Sequence, residues 1–229
     1  LKKEAEGEVF FLPPIPIEEG TPEEDLSRFN QDDFMRNIFE LLLIKNMIDY
    51  DVFNSQGNPY FFILIFTENT YLAELMFKHG ADINQGNINN KNVLQFYLDF
   101  VDKNKINDST TVRTMRNIVK LGVDLQHRDD QGATITHNTI LSSPLSITKT
   151  IVKAGASIDV ADNKGRTLLH NAIWANDLEK VKYIVGVKKE LINVPDKLGV
   201  IPINYAAFLG NRELICYLIS HGSYVNNLH

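Results

Sequence analysis

The sequence predicts an all-α solenoid of helix-turn-helix pairs joined by hairpin fingers, with an N-terminal helical cap. The main observation is a set of turn-forming residues that recur at spacings of 33, 42, 33 and 34 residues. A fixed period of this length is the sequence signature of a repeat architecture. The recurring turn residues are Gly57, Asn90, Gly132, Gly165 and Gly199.

A second set of glycines confirms the register of this repeat. Gly80, Gly155 and Gly222 each lie 23 residues after their turn glycine. Gly122 takes the same place once a nine-residue insertion around 101–109 is subtracted. Asn90 stands where the other copies have glycine, and Asn is the best non-glycine substitute where φ must be positive.

Two short apolar segments with helical spacing lie between the markers, for example LLHNAIWA followed by LEKVKYIV. Isolated helices shorter than about 12 residues are marginal in water. We therefore expect these helices to be stable only when they stack on neighbouring copies.

The repeated segment DNKGRTLLHNA (162–172) resembles the consensus of the ankyrin repeat, D-x-x-G-x-T-P-L-H-x-A. DKLGVIPINYA (196–206) is a recognisable copy, and DDQGATITHNT (129–139) is a weaker one. The resemblance extends over about residues 50–226. It implies an ankyrin-repeat domain at 50–229 with about five repeats, at 50–84, 85–126 with the insertion, 127–159, 160–193 and 194–226.

The remaining residues form two further predicted regions. Residues 29–49 have the spacing of an amphipathic helix, which we expect to cap the first repeat. Residues 1–28 form an acidic, proline-containing segment that we expect to be extended. Its apolar core, Phe10 to Ile17, either packs on the solenoid itself or is presented to another protein, unless the segment is only a linker.

The motif around Gly165 raises the question of whether His170 is a catalytic base. The resemblance implies a structural role, in which Gly165 makes the turn while Thr167 and His170 secure the start of the first helix. His137 occupies the equivalent place in another copy. No catalytic partner residues accompany His170, so we expect an architectural function.

Composition excludes several functional classes. The chain has 229 residues, a formal charge of −6 and scattered basic residues, which argues against nucleic-acid binding. The single cysteine, Cys216, excludes an intramolecular disulfide, and no Walker A, H-E-x-x-H or G-x-S-x-G motif is present. The longest apolar runs are too short to cross a bilayer. We expect no cofactor, no metal, no membrane insertion and no enzymatic activity in this fragment, and a cytoplasmic location.

The partner-binding surface is predicted from the family's concave face of fingers and first helices. Two columns of side chains, nine and six residues beyond each turn residue, are rich in large apolar residues, which are typical of interface centres. The alternative is that several of them only stiffen the stack. The predicted contacts are Phe66, Phe96, Leu141, Lys164, Arg166, Trp174, Lys197, Val200, Tyr205 and Phe208.

The resemblance implies a protein-interaction module that holds a protein partner or an extended peptide. The divergent, Asn- and Ile-rich repeats are similar to those of secreted effectors of intracellular bacteria, which would place the protein in the host cytosol. A second hypothesis is a substrate-recruiting part of an enzyme whose catalytic domain lies elsewhere, and a third is modification of Asn84. Because the chain starts without Met and ends at the start of another finger, we expect it to be part of a longer protein.

Overall fold

The computed structural model describes residues 53–59, 61–62, 70–104 and 108–225. The predicted cap at 29–49, the segment at 1–28 and Phe66 lie outside these residues. Within them the secondary structure is helical, with two isolated β-bridges at the bases of fingers and no longer strand. The all-α prediction is therefore confirmed.

Nine α-helices and one 3₁₀ helix are assigned in the described part of the chain. The 3₁₀ helix covers Lys189–Asn193, where the fourth copy lacks the second marker glycine. The α-helices are α1 (Thr70–Lys78), α2 (Val93–Asn104), α3 (Asp108–Lys120), α4 (Ile135–Ser142), α5 (Leu145–Lys153), α6 (Leu168–Trp174), α7 (Leu178–Val187), α8 (Pro202–Phe208) and α9 (Arg212–Ser220).

The helices start at residues that satisfy or avoid unpaired backbone donors. Asp177 accepts the N–H groups of Glu179 and Lys180 at the start of α7, and Asn211 accepts that of Leu214 in α9. Pro202 opens α8, where its missing N–H costs nothing. Local capping thus sets the short helices that the sequence pattern predicts.

The helices form two layers. The first helices of successive repeats lie side by side, with α2 against α4, α4 against α6, and α6 against α8. Each also packs on the second helix of its own repeat. Leu168 and Leu169 of the repeated motif are fully buried in this stack, together with Ile173 and Leu214.

The fingers form a second continuous structure along the solenoid. In each of the five turns, one side-chain oxygen accepts two backbone N–H groups of its own finger. The residues that supply this oxygen are Asn54, Asn87, Asp129, Asp162 and Asp196.

One backbone hydrogen bond joins each finger to the next. These bonds run from Ile88 to Gly57, from Asp130 to Asn89, from Asn163 to Gln131 and from Lys197 to Lys164, with N···O distances of 2.9, 3.1, 2.9 and 2.9 Å. The fingers therefore hold a fixed spacing, which places their tips and the adjacent first helices on one surface.

Candidate functional site

A pocket lies between the last two fingers and the helices α6 and α8. Its volume is about 560 Å³, and we call it the finger pocket. It contains five of the predicted partner-binding residues. It is lined by Asn163, Lys164, Arg166, Trp174, Asp196, Lys197, Leu198 and Tyr205.

An exposed aromatic pair stands at the edge of the finger pocket. The rings of Trp174 and Phe208 are stacked, with centroids 6.0 Å apart and an interplanar angle of 13°. Trp174 remains 49% exposed and Phe208 77% exposed. Large aromatic side chains this accessible on neighbouring helices are a pre-formed apolar surface rather than part of the core.

Tyr205 forms the inner wall of the pocket and is held on three sides. Its ring lies edge-on to His170 and to Trp174, at centroid distances of 5.0 and 6.1 Å. Its hydroxyl donates to Asp196 Oδ2 at 2.8 Å. Burial, followed by this bond to the carboxylate, raises the pKa of Tyr205 to about 12. The ring is therefore fixed before any ligand arrives.

The guanidinium group of Arg166 is paired with a carboxylate of its own finger. Its Nε donates to Asp162 Oδ2 at 2.7 Å, while Oδ1 of the same carboxylate accepts the turn N–H groups. Burial raises the pKa of Asp162, but the hydrogen bonds from Arg166 outweigh it, so the pKa lies below its ordinary value. The carboxylate stays ionised and the guanidinium is oriented along the pocket wall.

Lys164 and Lys197 supply positive charge at the finger tips. The two residues are linked by the backbone hydrogen bond between their fingers, and both side chains are exposed. Neither ammonium group forms an ion pair with another residue that the structure describes. They are available to a bound anionic group.

The helix-start histidines connect each repeat to the next finger. His170 Nδ1 accepts the backbone N–H of Thr167 at 3.1 Å, and Nε2 lies 3.1 Å from the carbonyl oxygen of Val200. His137 repeats the arrangement with Thr134 and Arg166. This geometry agrees with an architectural role, because both ring nitrogens of each histidine are within hydrogen-bond distance of backbone groups.

The other predicted contacts have different surroundings. Leu141 is exposed on α4, whereas Phe96 is half-buried and packs on the ring of Phe62 at 5.4 Å. Val200 is half-buried, and its carbonyl is engaged by His170. The structure therefore brings the predicted contacts together mainly around repeats four and five.

The predicted turn residues all have positive φ, from 52° at Asn90 to 79° at Gly199.

The sequence does not reveal the roles of Asp196 in the finger pocket and of Gln95 in the second repeat. Asp196 anchors Tyr205, and Gln95 makes the hydrogen bonds that the helix-start histidine makes in later repeats. Gln95 Oε1 accepts the N–H of Asn92 at 3.2 Å while Nε2 donates to the carbonyl of Ala133 at 3.0 Å. Its place five residues after Asn90 is the signal that could have revealed it.

Asn84 also has a structural partner. Its side-chain oxygen accepts the backbone N–H of Asp124 at 2.7 Å, which links the ends of two repeats. Asn193 makes the same type of link to Tyr224 at 3.0 Å. Asparagine at this position therefore joins neighbouring repeats.

A membrane-spanning helix and a metal-binding cluster are both absent from the described residues. None of their helices has the length and apolar character needed to cross a bilayer. No group of three or more His, Cys, Asp or Glu side chains among them is placed to hold a metal ion.

Comparison with protein families identifies one segment of the chain. Residues 146–228 match the family model for ankyrin repeats, in three copies. No curated protein matches the chain. The matched segment covers the finger pocket and the Trp174–Phe208 pair.

Proposed function

Since residues 146–228 belong to the ankyrin-repeat family, whose repeats are protein-interaction modules, we propose that this chain binds an extended segment of a protein partner in the finger pocket. The observation that carries the proposal is the exposed, stacked pair of Trp174 and Phe208 beside a pocket walled by Tyr205. Aromatic side chains in such positions are the usual energetic anchors of protein interfaces.

Pre-organisation favours binding at this place. Tyr205 is fixed by its bond to Asp196, and Trp174 is held between Tyr205 and Phe208. Few rotamers remain to be ordered when a partner arrives, so less of the interaction free energy is lost as entropy. An apolar side chain of the partner would fill the pocket and contact these rings.

The charged side chains around the finger pocket indicate which residues should flank the partner's apolar anchor. Lys164 and Lys197 are exposed, whereas the Asp162 and Asp196 carboxylates are buried and already bonded. An acidic residue beside the partner's apolar anchor would pair with these lysines. We therefore expect an extended peptide with an apolar anchor flanked by Asp or Glu.

The test is a peptide selection followed by affinity measurements. Peptides selected from a random library on the intact chain would be titrated against Trp174→Ala, Phe208→Ala and the double variant Lys164→Glu/Lys197→Glu. Loss of a central aromatic anchor is expected to weaken binding roughly 30-fold, equivalent to about 2 kcal/mol. The lysine variant should remove the preference for acidic residues.

Two control variants separate binding from folding. Tyr224→Ala removes an exposed aromatic side chain outside the pocket, and Lys189→Glu reverses an exposed charge away from the pocket lining. Both should bind the selected peptides as the native chain does. If the pocket variants keep full affinity while remaining folded, the partner binds elsewhere and the proposal is wrong.

A further inference from the structure

A second groove lies on the outer surface, between the helices α3 and α5. Its volume is about 740 Å³, and we call it the basic groove. It is separate from the finger pocket and shares no lining residue with it. It is lined by Ser109, Val112, Arg113, Arg116, Asn117, Lys120 and Ser146.

The charged side chains among the described residues that line the basic groove are all basic. Arg113, Arg116 and Lys120 follow one another at helical spacing on α3, and all three are exposed. The described residues that line the groove include no Asp or Glu, and Asp108, the first residue of α3, is the one acidic residue of that helix. A local concentration of cations in a chain of net charge −6 is a marked asymmetry.

The polar groups between the cations fit an anionic, extended ligand. The hydroxyls of Ser109 and Ser146 and the amide of Asn117 line the same groove. Ser146 lies in the first turn of α5, which contains no acidic residue to offset the positive end of the helix dipole. A peptide that carries several carboxylates would find both cations and hydrogen-bond donors there.

The chain itself contains a segment of this chemistry. Residues 1–28 hold eight acidic and three basic side chains, which gives this short segment most of the net negative charge of the protein. Acidic groups lie on both sides of FFLPPIPI, and its prolines favour an extended backbone. The segment lies outside the residues that the structure describes.

We infer that residues 1–28 bind in the basic groove of their own chain through their carboxylates. Covalent linkage gives an intramolecular segment an effective concentration of the order of millimolar, so even weak ion pairs give substantial occupancy. The contact covers the outer face of repeats two and three and leaves the finger pocket open. An external acidic peptide would then compete with residues 1–28 for the same cations.

Zero-length cross-linking of the full chain tests this inference. A carbodiimide would join the Lys120 ammonium to any carboxylate in contact with it, and the joined peptides would be identified by mass spectrometry. The expected products connect Lys120 to carboxylates of residues 4–25, in the monomer and independently of protein concentration. They should be lost in about 1 M salt, where the screening length is about 3 Å.

The double variant Arg113→Gln/Arg116→Gln keeps Lys120 as the reporter without placing a new carboxylate beside it, and should also strongly reduce these products. The variant Arg113→Ala/Arg116→Ala reports on the same contact if the first one does not fold. Lys164 and Lys197 are internal controls for the finger pocket. Products on these two lysines instead of Lys120, products only between chains, or no product with residues 4–25 would each overturn the inference.

Discussion

The ring of His170 joins the fourth repeat to the fifth, with Nε2 lying 3.1 Å from the carbonyl oxygen of Val200. Because Nδ1 accepts the N–H of Thr167, the neutral imidazole must carry its proton on Nε2 and donate it to Val200. His137 makes the corresponding contact with Arg166, and Gln95 makes it with Ala133. Each finger from the third to the fifth is therefore fixed by the first helix of the repeat before it.

The first prediction compares two substitutions of His170. His170→Gln should retain both bonds, since Gln95 makes them in the second repeat, and should cost less than about 1 kcal/mol of stability. His170→Ala leaves the buried Thr167 N–H and Val200 carbonyl unpaired, and should cost about 3 kcal/mol. Urea denaturation followed by circular dichroism gives both values. Equal losses in the two variants would mean that the hydrogen bonds contribute little.

The second prediction concerns the loss of folding stability at acidic pH. Burial lowers the pKa of both His137 and His170 below the ordinary value of 6.5, so the unfolded chain binds more protons than the folded one. The free energy of unfolding that depends on the two neutral histidines is fully present above about pH 6.5. It is lost as the pH falls below this value, by at most about 1.4 kcal/mol per pH unit for each histidine. Denaturation midpoints measured between about pH 7.5 and pH 5 should fall accordingly.

The double variant His137→Gln/His170→Gln provides the control for this pH dependence. Glutamine does not titrate, so the decline between about pH 7.5 and pH 5 should flatten. Asp162 and Asp196 have pKa values below the ordinary 3.8 and should act only at lower pH. A variant that keeps the full acid sensitivity would exclude these two histidines as its cause.

The third prediction concerns the spacing of the fingers. Gly165 and Gly199 have almost the same positive φ, 78° and 79°, so alanine is strained about equally at both positions, by about 1–2 kcal/mol. At Gly165 a Cβ would also lie 2.7 Å from the backbone nitrogen of Lys197, whereas at Gly199 it would meet nothing within 4 Å. Gly165→Ala should therefore lose at least about 2 kcal/mol more than Gly199→Ala in urea denaturation. Equal losses would show that the fingers can separate without cost.

The fourth prediction isolates the hydroxyl of Tyr205. Tyr205→Phe keeps the ring between His170 and Trp174 but removes the bond to Asp196, and should cost about 1 kcal/mol. Because the folded pKa of about 12 lies above the ordinary 10, this contribution is present below pH 10 and is lost as the pH rises towards 12. Ultraviolet titration should show one phenol fewer ionising near pH 12 in the variant than in the native chain. Superimposable titration curves would contradict this assignment.

The sequence predicts the repeating parts of this fold because their causes are local. A turn that needs positive φ shows as glycine or asparagine, and a buried helix start shows as the Thr-x-x-His of 134–137 and 167–170. The roles of Gln95 and Asp196 are harder to read, because each depends on a group in another segment or further along its own repeat. The exposure of a side chain is harder still to predict, since Phe96 and Trp174 are both expected on the surface, yet Phe96 packs on Phe62 whereas Trp174 does not enter the core.

The partner is not encoded in the repeat pattern. The same pattern supports unrelated specificities, since function depends on the surface residues that the fold presents. The effector origin and the substrate-recruiting alternative therefore stay predictions. The proposed binding in the finger pocket indicates the chemistry of the partner but not its identity.

Fluorescence quenching of Trp174 tests the central claim most directly. This residue is the only tryptophan of the chain, it is 49% exposed, and it lines the finger pocket. Saturation with a selected peptide should shift its emission to shorter wavelength and lower its acrylamide quenching constant, while Lys164→Glu/Lys197→Glu should need more of an acidic peptide for the same effect. Emission and quenching that stay unchanged at saturation, with binding verified by calorimetry, would contradict the assignment of the finger pocket as the partner-binding site.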